Sequence, residues 1–213
     1  MSFINTISPA EAAGPVRDLY DRQQRHYGYV PNYAKLFSHR PQVMQLWSDL
    51  LYGVRCNMDK RRFELVTVAA AMAVRSTYCS LAHGKALMQY YSEEDALKIV
   101  TGAADAPLTA VEAEMMRFAA KIAHTAAEVT AGDVERLKVH GLSDAEIFDI
   151  AAVATARSFF AQLCEGLGAV GDQSLVMMDA RLQQALTVGK RFESTPRERL
   201  AESYERELAV AFQ

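Results

Sequence analysis

Cys79 and His83 are the two side chains whose types and spacing best suit nucleophilic chemistry: four residues apart, they share one face of a helix. A thiol attacks as its thiolate, and with a free pKa near ~8.5 only a few per cent is ionised at neutral pH. It therefore needs a base and a positive field nearby. Ser76-Thr77 offers a helix break and an N-cap, which puts Cys79 at the third helical position, where unpaired backbone N–H groups favour negative charge. A stabilised thiolate is expected there, with His83 as its base. Ser76 lies three residues before Cys79 on the same face, and Glu64 stands on the preceding helix.

Each of these residues also has a structural reading. Cys79 and His83 can be a buried thiol and a satisfied core histidine, Ser76 a plain N-cap, and Glu64 a partner of Arg75 or Arg157. Cys56 and Cys164 read as core residues. His26, His39, His124 and His140 form no usable cluster.

The elements that must position the site read as a series of capped helices. Ser8-Pro9-Ala10-Glu11 predicts a helix from there to about Tyr27, and a short one follows from Tyr33 to Phe37. Pro41 opens a helix through Val54, and Asn57-Met58-Asp59 turns the chain into the apolar helix of Glu64. The Cys79 helix is expected to run to about Tyr91. Ser92, Thr109 and Ser143 cap further helices, a short helix spans Ala131 to Val139, and the Ser143 helix reaches about Leu167. Asp172 begins a helix to Val188, and Thr195-Pro196-Arg197-Glu198 caps an amphipathic C-terminal one. No segment reads as a strand, so the class is all-α.

Half of the 213 residues are hydrophobic, enough for a sizeable core. The net charge of -3 with scattered basic residues argues against nucleic acid as a partner. The absence of a signal-like N-terminus and of a run of about eighteen uncharged apolar residues argues for a cytoplasmic protein without a membrane partner. Three unpaired cysteines argue against a disulfide framework, no Cys/His set has structural-zinc spacing, and no cofactor is assigned.

An internal repeat recurs at an offset of 82 residues: Glu64 with Glu146, Ala69-Ala70 with Ala151-Ala152, Arg75-Ser76 with Arg157-Ser158, Leu81 with Leu163, Gly84 with Gly166. Cys79 and His83 fall opposite Ala161 and Glu165, so chemistry belongs to the first copy, while Glu146 reads as a capping-box partner of Ser143. The chain is expected to form one domain over 1–188, with halves at about 31–102 and 109–188, and an extension over 189–213. Cys164 aligns with Ala82, beside the reactive position, which makes it a candidate resolving thiol.

The order Glu64, eleven residues, Ser76, two residues, Cys79, three residues, His83 resembles the signature of the AhpD-like (alkylhydroperoxidase D) branch of the carboxymuconolactone decarboxylase superfamily, a Glu followed by Cys-x-x-Cys-x-x-x-His. Leu142 to Asp172 is also similar to that family's C-terminal helices, and the likeness covers roughly Pro31 to Val188. It implies an all-helical, homo-oligomeric AhpD-like bundle in which Cys79 attacks a hydroperoxide with His83 and Glu64 assisting. Ser76 stands where the first cysteine would be and cannot form the resolving disulfide. The expected function is thus a thiol-dependent, peroxidase-like oxidoreductase acting on a small hydroperoxide and recycled by an external thiol. A decarboxylase-type lyase or isomerase using Glu64 and His83 on a small carboxylated substrate is the alternative, as is a thiol sensor without turnover.

Overall fold

The computed structural model describes residues 2–190, and among them the chain is all-α, with no strand. The helices are α1 (Gly14–Tyr27), α2 (Asn32–Leu36), α3 (Pro41–Arg55), α4 (Lys60–Ala73), α5 (Thr77–Leu87), α6 (Glu93–Thr101), α7 (Ala110–Thr125), α8 (Ala131–Val139), α9 (Asp144–Gly166) and α10 (Ala180–Leu186). The caps expected at Ser92, Thr109 and Ser143 are in place: Ser92 accepts a first-turn N–H, and Thr109 with Glu112 and Ser143 with Glu146 form reciprocal capping boxes; Asp59 in the expected turn also caps α4. The C-terminal helix expected from Thr195 lies outside the described residues.

Three boundaries differ from the sequence reading. Ser8 and Glu11 do bond to each other, but they close only a turn, and α1 begins at Gly14-Pro15. The Pro15 ring disfavours helix in the residue before it, so the helix starts where proline is tolerated. The Cys79 helix stops at Leu87 rather than near Tyr91. Asp172 does not start a long helix, because its carboxylate is drawn inward to Tyr78 and the Asn32 N–H; a 3-10 turn follows, and Asp179 caps α10 instead.

From Leu65 to Ala71 helix α4 is buried all round, and it lies in the centre, packed on α7, α5 and α9. Two apolar clusters result. One gathers Val66, Ala70, Phe118 and Ile150 among α4, α7 and α9; the other surrounds α5 with Leu81, Leu87, Phe160, Ala161 and Leu186. Helix α9 feeds both. It is the one helix among the described residues long and apolar enough to cross a bilayer, and more than half of that apolar window is buried inside this bundle. On α5 itself, a Cβ added at Gly84 would stand 2.2 Å from Leu186 Cδ1, so glycine lets α10 seat closely on the helix that carries Cys79.

The turn between α4 and α5 decides where the thiol points. Arg75 adopts a left-handed φ of 57°, which costs a non-glycine residue roughly 1–2 kcal/mol, and the Ser76 N–H closes the turn on the Ala71 carbonyl at 3.0 Å. The aligned Arg157-Ser158 pair lies inside the unbroken α9. Arg75 is consequently exposed, whereas Arg157 stays buried.

Candidate active site

Ser76 is the N-cap of α5, and its Oγ accepts the Cys79 N–H at 3.4 Å. The cap turns Cys79 into the protein, where the residue is only 1% exposed. Burial pushes the thiol above its ordinary value; Arg157 and the Ser76 hydrogen bond pull it down without offsetting that. The expected resting thiolate is therefore corrected: helix-start geometry is present, but desolvation wins over it.

His83, one turn along α5, meets Glu64 from α4, with Nδ1 2.7 Å from Oε2. Burial pushes Glu64 up, yet the attraction and hydrogen bond of His83, with the charges of Arg157 and Arg55, outweigh it and hold the carboxyl below its ordinary range. Burial lowers His83, Arg157 lowers it further, and Glu64 opposes both. At neutral pH the pair is thus a carboxylate and a neutral imidazole. Glu64 takes the Nδ1–H, which leaves the Nε2 lone pair to accept a proton. Each side chain is 16% exposed, so this pair is the part of the site open to solvent. Among the described residues no hydrogen bond joins His83 to Cys79. The structure brings together Glu64 with His83 and Ser76 with Cys79; the link between the two pairs runs through another residue.

That residue is Arg157, considered from sequence only as an ion-pair partner for Glu64. Its Nη1 lies 4.0 Å from Cys79 Sγ, and its charge acts on Glu64 and His83 as well. The guanidinium is stacked over Trp47 at 5.2 Å and Phe160 at 5.3 Å, within an aromatic group that includes Tyr33, Phe37 and Tyr78. Trp47 is fixed in turn by donating Nε1–H to the Ala156 carbonyl at 2.9 Å. The one basic residue of a long, largely apolar repeat helix was the signal available in the sequence.

Beside the thiol, Tyr78 donates its hydroxyl to Asp172, whose other oxygen accepts the Asn32 N–H at 2.9 Å. Burial raises both groups, and the hydrogen bonds only partly restrain Asp172. This pair fastens the segment after α9 over α5. Cys164, two turns beyond Arg157 on α9, is fully buried in the cluster of Cys79, and burial first, then Cys79, pushes its thiol well up. Cys56 is not a core residue as expected; it follows the last turn of α3, exposed, with its thiol donating to the Gly53 carbonyl at 3.2 Å. Among the described residues no three His, Cys, Asp or Glu side chains converge as a metal site.

The Glu64, Ser76, Cys79 and His83 part of the site lies within residues 41–119, which match the family model "Carboxymuconolactone decarboxylase family". The same fold occurs in the alkylhydroperoxidase AhpD core structure of an uncharacterized peroxidase-related protein from Ralstonia eutropha JMP134. That likeness has a TM-score of 0.74 at 23% identity, over 89% of this chain and 98% of that one. The chain thus has the AhpD-like helical fold, and its residues 41–119 are similar to the carboxymuconolactone decarboxylase family. An uncharacterized peroxidase-related protein from Silicibacter sp. TM1040 is also similar, with a TM-score of 0.68 at 23% identity over 81% and 95% of the two chains. The debrominase Bmp8, solved with 2,3,4-tribromopyrrole, shares the AhpD-like fold with a TM-score of 0.66 at 12% identity over 87% and 98%. No curated protein matches the sequence. Arg157, Cys164 and Asp172 lie beyond the residues that match the family model.

Proposed function

We propose that this protein is a thiol-dependent, peroxidase-like oxidoreductase in which Cys79 is the reacting thiol. The observation that carries this reading is the placement of opposite fixed charges around a neutral pair. Transfer of the Cys79 proton to His83 Nε2 would create a thiolate facing Arg157 and an imidazolium held by Glu64. Burial disfavours those charges at rest, but both complements are already in place when they form. The thiolate sulfur then takes the terminal oxygen of a small hydroperoxide. The O–O bond breaks, the alcohol leaves with the proton from His83, and Cys79 becomes a sulfenic acid. Ser76 offers no thiol to resolve it. An external thiol condenses with the sulfenic acid, releasing water, and a second thiol frees Cys79 as the external disulfide departs. The test is turnover of hydroperoxide with a small thiol, expected for the wild type and lost in Cys79→Ser.

A second reading, a lyase or isomerase using Glu64 and His83 on a small carboxylated substrate, is favoured by the greater solvent access of that pair compared with the thiol. It is distinguished by survival of activity in Cys79→Ser. The protein is proposed to act in the cytoplasm as a homo-oligomer. The latter is supported by exposed Val43, Leu46 and Leu50 on α3 beside Phe148 and Phe159 on α9, helices that pack together.

A further inference from the structure

Arg157 is only 4% exposed, and among the described residues it has no carboxylate within ion-pair distance; its Nε–H has no hydrogen-bond partner at all. A buried guanidinium left in this condition is costly, because arginine does not lose its proton to escape the penalty. Aromatic stacking relieves part of the cost. Trp47 and Phe160, themselves stacked at 4.4 Å, lie to one side of the guanidinium, and Nη1 is turned to the thiol; the in-plane edge that carries Nε–H is left without a partner. Such an edge is a fork for two oxygens of a planar anion.

Arg157 and Arg55 both act on the Glu64–His83 pair, Glu64 supplies an opposing charge there, and Glu165 supplies another toward the thiol. Among the described residues neither carboxylate lies within ion-pair distance of Arg157, so its unpartnered Nε–H edge is what a bound anion would satisfy. We infer that Arg157 is an anion-binding residue for substrate, and that the substrate class is a small organic carboxylate whose electrophilic atom lies one or two bonds from the carboxylate, within reach of Cys79 Sγ. The Nε–H edge receives the carboxylate, and the short distance from Nη1 to sulfur sets how near the reacting atom must be. A hydroperoxide that carries a carboxylate meets this description; a simple alkyl hydroperoxide leaves the arginine unpaired.

This inference rests on Cys79 being the reacting thiol, as in the proposed function, but its test does not require peroxidase turnover. Iodoacetate and iodoacetamide alkylate a thiolate by the same step: the S–C bond forms, iodide leaves, and the thiol proton passes to base. They differ in presenting a carboxylate or a neutral amide. Rates at Cys79 and at the exposed Cys56 are measured in the same protein by peptide mapping. The iodoacetate-to-iodoacetamide ratio at Cys79 is expected to exceed that at Cys56 by about tenfold or more, the worth of one charge-assisted hydrogen bond. Benzoate should protect Cys79, but not Cys56, from iodoacetamide. Arg157→Met should bring the Cys79 ratio down to the Cys56 value, and Arg157→Lys, which keeps the charge without the fork, should fall between. If Arg157→Met does not fold, the wild-type ratio, benzoate protection and the Lys variant still decide. Equal ratios at the two cysteines, or no labelling of Cys79 by either reagent, would overturn the inference. A charge-dependent ratio in a protein whose Cys79 is inert to hydroperoxides would uphold the carboxylate site and remove the peroxidase reading alone.

Discussion

Glu64→Gln keeps the shape of the carboxylate and removes its charge, and so isolates what Glu64 does for His83. In the native protein the 2.7 Å contact is a hydrogen bond to a charged group. Such bonds contribute ~1.5–3 kcal/mol against ~0.5–1.5 for neutral ones, so the substitution should weaken the hold on an imidazolium by roughly 1–1.5 kcal/mol. At about 1.4 kcal/mol per factor of ten, the Cys79 reaction at pH 7 should slow about tenfold. His83→Ala, which removes the base itself, should slow it about 10²-fold. The assay is the pH dependence of Cys79 alkylation by iodoacetamide, read by peptide mapping. Burial raises the thiol, so both variants should fall furthest behind at neutral pH and approach the wild type as pH rises past the thiol's own pKa, where no base is needed. Equal rates in all three proteins at pH 7, or a loss that stays constant at every pH, would show that Glu64 and His83 serve the fold rather than the thiol.

Ser76→Cys should place a second sulfur beside Cys79, lose two hydrogens on mild oxidation and gain turnover with a dithiol; failure to close that bond would mean the two positions do not face one another. When reduced, the same variant should lose about 1 kcal/mol of cap energy, seen as a lower melting temperature. Tyr78→Phe leaves the buried Asp172 carboxyl short of a partner and should cost ~1–3 kcal/mol, or roughly 2–10 °C in Tm by calorimetry. Asp172 has a raised pKa, so its stabilising contribution is complete below the ordinary aspartate value and lost as pH rises through the folded one. Asp172→Asn should accordingly melt no lower than wild type at pH 7, with any advantage shrinking toward pH 4. Light scattering at micromolar concentration should give a mass above the 23.6 kDa of one chain; a value equal to it would refute self-association.

Much of the site frame was legible because it depends on local rules. Ser76 as cap, Cys79 in the first turn and His83 one turn on follow from spacing within a single helix, and Glu64 precedes them on the helix that the cap terminates. What could not be read was desolvation. The same cap that offers Cys79 a helix N-terminus also turns it inward, and only the packing of α9 on α5 shows that burial prevails. Arg157 escaped for a related reason. Its repeat partner Arg75 is exposed because it occupies a left-handed turn, and nothing in the shared Arg-Ser pair tells that one copy bends there while the other continues as helix. Asp172 resembled a helix start because aspartate is a good cap; its long-range attachment to Tyr78, 94 residues earlier, overrode the local preference.

The claim that Cys79 is the reacting thiol is tested most directly by the mass of the intact protein after one equivalent of hydroperoxide. The expected result is gain of one oxygen, mapped to Cys79 as a dione-trappable sulfenic acid, with conversion to a mixed disulfide when a small thiol is added and no change at that position in Cys79→Ser. An unchanged mass, or oxygen found on Cys56 or methionine while Cys79 stays reduced, would contradict it.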